Sequence, residues 1–189
     1  MGLKLITAPS VEPLTLADAK LHLRVDGTDE DTLITALIAA ARQYAEHTTE
    51  RSLITQTWEL AVDAFPAAEI QLPKPRVLAI VSVKYDDVNA VEQTLAGAAY
   101  TLDSHSEPGW LLPAYNTSWP GTLAAANAVR VRYTAGYGPA AADVPEGLKR
   151  WMLLRIGSLY AMREEVVPGR ALQPQFVDRL LDPYRVWSM

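Results

Sequence analysis

Residues 28–63 read TDEDTLITALIAAARQYAEHTTERSLITQTWELAVD, and the spacing of their apolar groups changes midway. Up to Thr48 it is helical: Leu33, Leu37, Ala41, Tyr44 and Thr48 form one stripe, and Ile34, Ile38 and Ala45 widen it. Asp29, Glu30 and Asp31 fall in the first turn, where the helix macrodipole favours negative charge. From Ile54 to Asp63 the period drops to two, with Trp58, Leu60 and Val62 on one face and Thr57, Glu59 and Asp63 on the other. That is the pattern of a half-buried strand. A helix leading into a strand of this kind calls for a mixed architecture.

Outward from this stretch the two characters separate. Toward the N-terminus, Thr15-Leu16-Ala17-Asp18 opens a helix like a capping box, and Asp26-Gly27 stops it after Val25. Toward the C-terminus, Pro66, Pro73 and Pro75 leave a short strand at Ile70–Leu72. Leu78–Tyr85 alternates, and Asp86-Asp87-Val88-Asn89 turns the chain back into Val91–Leu95. Tyr100–Leu102 and Trp110–Leu112 are weaker strands, and Val129–Thr134 is a clear one, ended by Gly136 and Gly138. Short strands joined by turn residues make a small antiparallel sheet.

Helix then returns. Pro145 suits a first helical position, and Leu148 to Glu165 continues with Gly157 as its one breaker. Its apolar residues (Trp151, Met152, Leu153, Leu154, Ile156, Leu159, Tyr160, Met162) point in more than one direction, so this helix is either central to a core or shared with a neighbouring subunit. Pro168-Gly169 ends it. A last short helix is expected over Gln175–Leu181, because Pro183 disfavours helix at Asp182, with Tyr184–Met189 extended. The expected fold class is α+β. It has a helical core of two N-terminal helices, one long and one short C-terminal helix, with an inserted small antiparallel β-sheet. The boundaries read 1–52, 53–138 and 139–189.

Composition narrows the function. The chain has 189 residues, 49% of them hydrophobic and 21% charged. That suits one domain burying about 70% of its unfolded surface. No cysteine is present, which removes disulfides, thiol catalysis and thiolate metal sites. The three histidines, His22, His47 and His105, show no ligand spacing on a helix face, so neither a metal nor a cofactor is expected. The net charge of −5 argues against a protein whose main task is gripping phosphates. It is unevenly spread: residues 1–50 carry four basic and eight acidic groups, residues 144–189 seven basic and five acidic. Gly2-Leu3-Lys4-Leu5-Ile6 is too short for a secretory core and no apolar run approaches a bilayer span, so a soluble chain made inside the cell is expected, with no membrane partner.

No enzyme constellation emerges. Glu164 and Glu165 are adjacent on a helix and diverge, and Asp86-Asp87 reads as a turn. Asp103-Ser104-His105 has triad residue types in consecutive positions, whereas a triad converges from separate segments. Gly136-Tyr137-Gly138-Pro139 lacks phosphate-loop spacing. Arg130 and Arg132 on one strand face are expected to pair with acids across a sheet or a subunit boundary. No catalytic residue is assigned. The tail is more unusual: Phe176, Leu180, Leu181, Tyr184, Val186 and Trp187 crowd large apolar groups near a terminus, beside Arg179 and Arg185. Such a segment either packs back on its own domain or anchors another protein.

In order along the chain stand Leu14-Thr15-Leu16-Ala17-Asp18-Ala19-Lys20, continuing through His22-Leu23-Arg24-Val25, then Asp29-Glu30-Asp31, Thr55-Gln56-Thr57-Trp58, and Val131-Arg132-Tyr133-Thr134-Ala135-Gly136-Tyr137-Gly138. Val144-Pro145, Leu159-Tyr160, Arg163-Glu164 and Leu180-Leu181-Asp182-Pro183-Tyr184-Arg185 follow. This succession resembles the head–tail connector (adaptor) family of tailed bacteriophages and prophages; residues 64–127 match only in pattern. The resemblance implies a non-enzymatic virion part, located in the neck at the head–tail junction and assembled in the host bacterial cytoplasm. Its partners would be copies of itself in a ring, typically a dodecamer, the portal protein, a stopper or tail-completion protein, and double-stranded DNA passing through the channel without specific binding. The resemblance further places portal contacts at Phe176, Leu180, Leu181, Tyr184, Arg185 and Trp187. It places subunit contacts at Trp151, Arg155, Leu159, Tyr160 and Arg163, and channel-lining acids at Asp29, Glu30 and Asp31. A closed ring needs two different complementary patches per subunit, and the helices at 28–48 and 145–165 can supply them. An acidic channel suits passage, because basic walls would hold the genome by counterion release.

Two other readings compete. One is a stopper or tail-completion protein, a ring further from the capsid, which a portal pull-down distinguishes. The other is a small hydrolase or binding module using the β-sheet, which requires Arg130, Arg132, Asp103 and His105 to converge on a pocket.

Overall fold

The computed structural model describes residues 1–162 and 178–186. The fold is mixed α+β, with antiparallel strands in two sheets rather than one. The chain forms two compact units, Met1–Pro9 with Thr55–Tyr137 and Ser10–Ile54 with Gly138–Met189.

The first unit is the sheet unit. It begins with a strand absent from the sequence reading, β1 (Gly2–Thr7), which pairs antiparallel with β2 (Gln56–Val62). β2 pairs with β8 (Val129–Ala135), β8 with β4 (Val77–Asp86), and β4 with the short β5 (Glu92–Thr94). A second sheet orders β3 (Ile70–Leu72), β7 (Gly109–Pro113) and β6 (Tyr100–Asp103). The alternation of β8 is complete: Val129, Val131, Tyr133 and Ala135 are buried and Arg130, Arg132 and Thr134 are not. These side chains share one core with Leu60, Val77 and Val83 of the first sheet and with Ile70, Leu72 and Leu111 of the second. Buried Tyr133 donates its hydroxyl to the Pro73 carbonyl at 2.8 Å, and burial raises its pKa further beyond physiological pH. Phe65 stacks on Trp119 with centroids 4.8 Å apart and meets Tyr85 edge-on.

The second unit is helical, with α1 (Leu16–Leu23), α2 (Asp31–Thr49) and α3 (Glu146–Ala161). Thr15 and Asp18 form the expected reciprocal cap at 3.0 and 3.1 Å. α1 stops earlier than Gly27, at Arg24 in the left-handed conformation with φ 59°. α2 buries Ile34, Ile38, Ala41, Ala45 and Thr49 together with Arg42. The expected stripe is therefore rotated: Leu33 and Tyr44 lie on its rim, 39% and 42% exposed. α3 buries Leu148, Trp151, Met152 and Ile156, leaving Leu153, Leu154, Leu159 and Tyr160 half-buried.

The C-terminal segment departs from its sequence reading. Residues Arg179–Tyr184 form a 3₁₀ turn with Pro183 inside, where an end at Leu181 and an extended Tyr184 were expected. A 3₁₀ turn this short tolerates proline because few of its N–H groups are bonded within it. The start of that element at Gln175, and the stretch of the long helix beyond Met162, lie outside the described residues.

Candidate functional site

On the helical unit, one aromatic cluster joins α2 to α3. Trp151, fully buried, stacks on Tyr44 with ring centroids 5.6 Å apart and planes 13° from parallel. The Arg155 guanidinium carbon sits 5.0 Å from the centre of the Tyr44 ring. The one-turn spacing of Trp151 and Arg155 on α3 lets both reach Tyr44. Trp151 Nε1 also donates to Asp178 Oδ1 at 3.2 Å, tying the C-terminal segment to the same cluster. The result is an exposed aromatic ring held rigid by a buried partner and a cation, the composition of a contact hot spot.

The expected channel acids are not a free negative cluster. Asp31 accepts from Lys20 Nζ at 2.6 Å, and the same ammonium also bonds the Gly27 carbonyl. Tyr160 donates its hydroxyl to the Glu30 carboxylate. One expected subunit contact and one expected channel acid thus meet within a single chain, and Asp29 is exposed beside them. Glu30 and Asp29 precede the first helical residue, Asp31, instead of occupying the first turn.

The expected portal residues divide. Leu181 is fully buried, and Val186 N–H donates to the Thr49 carbonyl at 3.1 Å at the end of α2. Arg51, itself largely buried, donates through Nε to the Tyr184 carbonyl. The Tyr184 ring packs over Gly147 so closely that a Cβ there would lie 2.6 Å from its hydroxyl oxygen. Arg185 pairs with Asp182 at 3.2 Å. Residues 179–186 therefore pack back on their own unit, one of the two outcomes left open, with Leu180 remaining 36% exposed. Phe176, Trp187 and the expected subunit contact Arg163 lie outside the described residues.

Sequence reasoning missed a buried ionic network. Arg42 pairs with Glu12 and with Glu46, each at 2.7 Å, and Glu46 also accepts the Leu53 N–H at 2.9 Å. Burial opposes the charge of Arg42, but the two carboxylates outweigh it and raise its pKa. The i, i+4 pair with Glu46 is a visible signal; the reach to Glu12, thirty residues away, is not. A second feature of the helical unit is an open groove of about 760 Å³ lined by Leu21, His22, Glu146, Lys149, Arg150 and Leu153, with Leu21 82% exposed.

The sheet unit does not assemble a catalytic pocket from the residues that the hydrolase reading needs. Arg130 forms a fork on Asp86 at 2.8 and 3.0 Å and reaches Glu92 at 2.9 Å, while Arg132 pairs with Glu59 at 2.6 Å. Arg130 holds both of its carboxylates below their ordinary pKa range, second to Lys84 at Glu92. Asp103 is spent in a turn, accepting from Ser106 Oγ at 2.6 Å and from the backbone of His105 and Ser106; the Ser106 hydroxyl leads in lowering its pKa. These side chains are committed to acids and turns on different strands. No group of three metal-ligating side chains occurs among the described residues. No helix among them is long and apolar enough to cross a membrane.

Comparison with known proteins gives the arrangement a context. Residues 13–106 match the family model of the phage gp6-like head-tail connector protein. No curated protein sequence matches the chain. Among solved structures, a chain in the neck of an empty GTA particle computed with C6 symmetry matches with a TM-score of 0.83 at 23% identity. A chain in the virion of a native gene transfer agent (GTA) particle matches at 0.82 and 25%, and one in the neck of a native GTA particle computed with C12 symmetry at 0.76 and 24%. Each match covers 100% of this chain and 97% of the other. A connector signature from α1 into the sheets, on a fold shared end to end with neck chains, makes this chain similar to the phage gp6-like head-tail connector family.

Proposed function

We propose that copies of this chain form a ring beneath the portal of a DNA-filled capsid, where the ring extends the DNA channel and joins head to tail. The observation that carries the reading is the connector match over residues 13–106 on a fold whose solved counterparts come from particle necks computed with C6 and C12 symmetry. Twelve copies is the number that this symmetry favours. The chain's part is structural, and the family supports that reading over catalysis.

The helical unit supplies two unlike patches, as a closed heterologous ring requires. One is the Tyr44–Arg155 face with half-buried Leu159 and Tyr160, in which Trp151 acts from beneath as support. The other is the groove around exposed Leu21. Asp29, Glu30 and Asp31 stand as lining acids whose charge is moderated by Lys20 and Tyr160, which suits weak contact with passing DNA. Portal contact falls to Leu180 and Arg185, with Tyr184 as their support and Phe176 and Trp187 flanking them in sequence; Leu181 is the internal anchor of that segment.

The test is reconstitution with purified portal, followed by electron microscopy of the complex. Rings of the chain seated on the portal are expected. A chain that ignores the portal and binds an already formed adaptor ring would instead be a stopper.

A further inference from the structure

The five-stranded sheet has two open ends. At one, β1 has β2 on one side and, among the described residues, no strand on the other, and all six of its residues are exposed, Leu3, Leu5 and Ile6 by 36%, 41% and 36%. At the other, β5 covers β4 only along Lys84–Asp86. The run Val77–Ser82 has β8 on one side and, among the described residues, no strand on the other. Leu78 and Val81 stand exposed there, by 43% and 55%. An uncovered edge is a row of unpaired N–H and C=O groups that templates a further strand. With their bulges, the six residues of β1 lie opposite five of β2 and the six of Val77–Ser82 opposite four of β8, so the open rows are of similar length, about 17 and 14 Å.

Their directions match as well. Successive antiparallel pairings make β1, β2, β8 and β4 alternate, so β1 runs opposite to β4. Rotation about a ring axis leaves a strand's direction along that axis unchanged. The β1 of the next copy therefore also runs opposite to the β4 of this one, and their junction is antiparallel like every other pairing in the sheet. β5 runs opposite to β4 too, and its exit at Leu95, whose N–H bonds the Val83 carbonyl at 2.8 Å, marks where the covered row ends. An incoming β1 lies in the same row and direction, completing the edge strand that β5 only begins.

Resting on the ring reading above, we propose that neighbouring copies join by β-augmentation, β1 of one copy adding to the Val77–Ser82 edge of the next, so that one sheet continues around the ring. The occupant is a second copy because one chain carries both halves, similar in length and matched in direction and apolar character. A heterologous closed ring needs such unlike, complementary ends.

The chain has no cysteine, so introduced thiols are unique. Leu3→Cys and Leu5→Cys are each mixed with Leu78→Cys or Val81→Cys, assembled on purified portal, confirmed as rings by electron microscopy and oxidised. Reducible dimers in at least one mixture, absent from either variant alone, are expected. Amide hydrogen exchange of the unmodified chain, independent of any substitution, should slow by about tenfold or more at residues 2–7 and 77–82 on assembly. Rings that form with neither cross-links nor slowed exchange overturn the edge pairing and leave the ring reading standing. Dimers from Leu5→Cys alone overturn it in favour of like-with-like pairing of β1. Failure to form any ring overturns both.

Discussion

Tyr44 of α2 lies stacked on Trp151 of α3 at 5.6 Å between ring centroids, with one ring 42% exposed and the other fully buried. The buried ring fixes the exposed one, and Arg155 caps it. How Tyr44 is presented outward is thereby decided by a residue that never reaches the surface.

Tyr44→Ala should cost about 1–2 kcal/mol in urea unfolding, the scale of a half-exposed stack with a cation on its face. Its effect on assembly should be larger. With the helical signal unchanged, ring yield on portal should fall at least about tenfold; undiminished yield would remove this face from the subunit contact.

Leu181 and Leu180 are neighbours with opposite duties. Leu181→Ala should destabilise the helical unit by about 2–4 kcal/mol, because it empties a fully buried site. Leu180→Ser should change stability by less than about 0.5 kcal/mol yet weaken portal binding measured by pull-down. Equal stability losses in the two variants would contradict the packing of the 3₁₀ turn.

Arg42→Met should leave Glu12 and Glu46 facing each other without their shared cation. The expected loss is about 2–4 kcal/mol in denaturant unfolding, below the extreme for buried pairs because Glu12 still reaches solvent. Glu12→Gln should cost less than half as much.

Gly109→Ala places a Cβ 2.9 Å from Val77 Cγ2 and 3.1 Å from the Asp103 carbonyl oxygen. One contact is backbone and the other a β-branched core residue, so neither yields easily. A loss of about 1–3 kcal/mol is expected from thermal unfolding, with the sheet signal affected first.

Acid should unfold the protein through its carboxylates. Asp18, held by the Thr15 hydroxyl, Asp86 by Arg130, Asp87 by the Val91 and Asn89 N–H groups and Asp103 by Ser106 all have lowered pKa values. Their unfolded forms bind protons more tightly, so stability is full above the ordinary aspartate value of 3.8 and falls as pH drops below it through the folded values. Denaturant midpoints measured from pH 2 to 7 should rise up to about pH 5 and then flatten. In Asp18→Asn the slope should be shallower; an unchanged slope would mean that the cap carries none of it.

The ordered succession of helix, strands and helix was legible because each element buries one face, and burial prints a period on the sequence. β8 shows this best, with every second residue from Val129 to Ala135 inside. β1 was not legible because it buries neither face and so leaves no such print. The phase of α2 was misjudged for a related reason: Leu33, Ile34, Leu37 and Ile38 are all apolar, and only the neighbouring elements choose which pair goes inside. Proline at position 183 signalled a helix end correctly for an α-helix, but the local turn is 3₁₀.

By itself the sequence determined the kind of chain this is: cysteine-free, acidic at the front and basic at the back, helical at both ends of a β-rich middle, with connector motifs in order. Those properties are local, written in spacing and composition, and survive without knowing which segments meet. Only the tertiary structure decided that Glu12 reaches Arg42, that Tyr160 meets Glu30, that Leu181 is internal and Leu180 is not, and that β1 and the Val77–Ser82 run of β4 stand at opposite edges of one sheet. Each joins residues far apart along the chain or ranks neighbours by what covers them, and a linear pattern carries no distance through space.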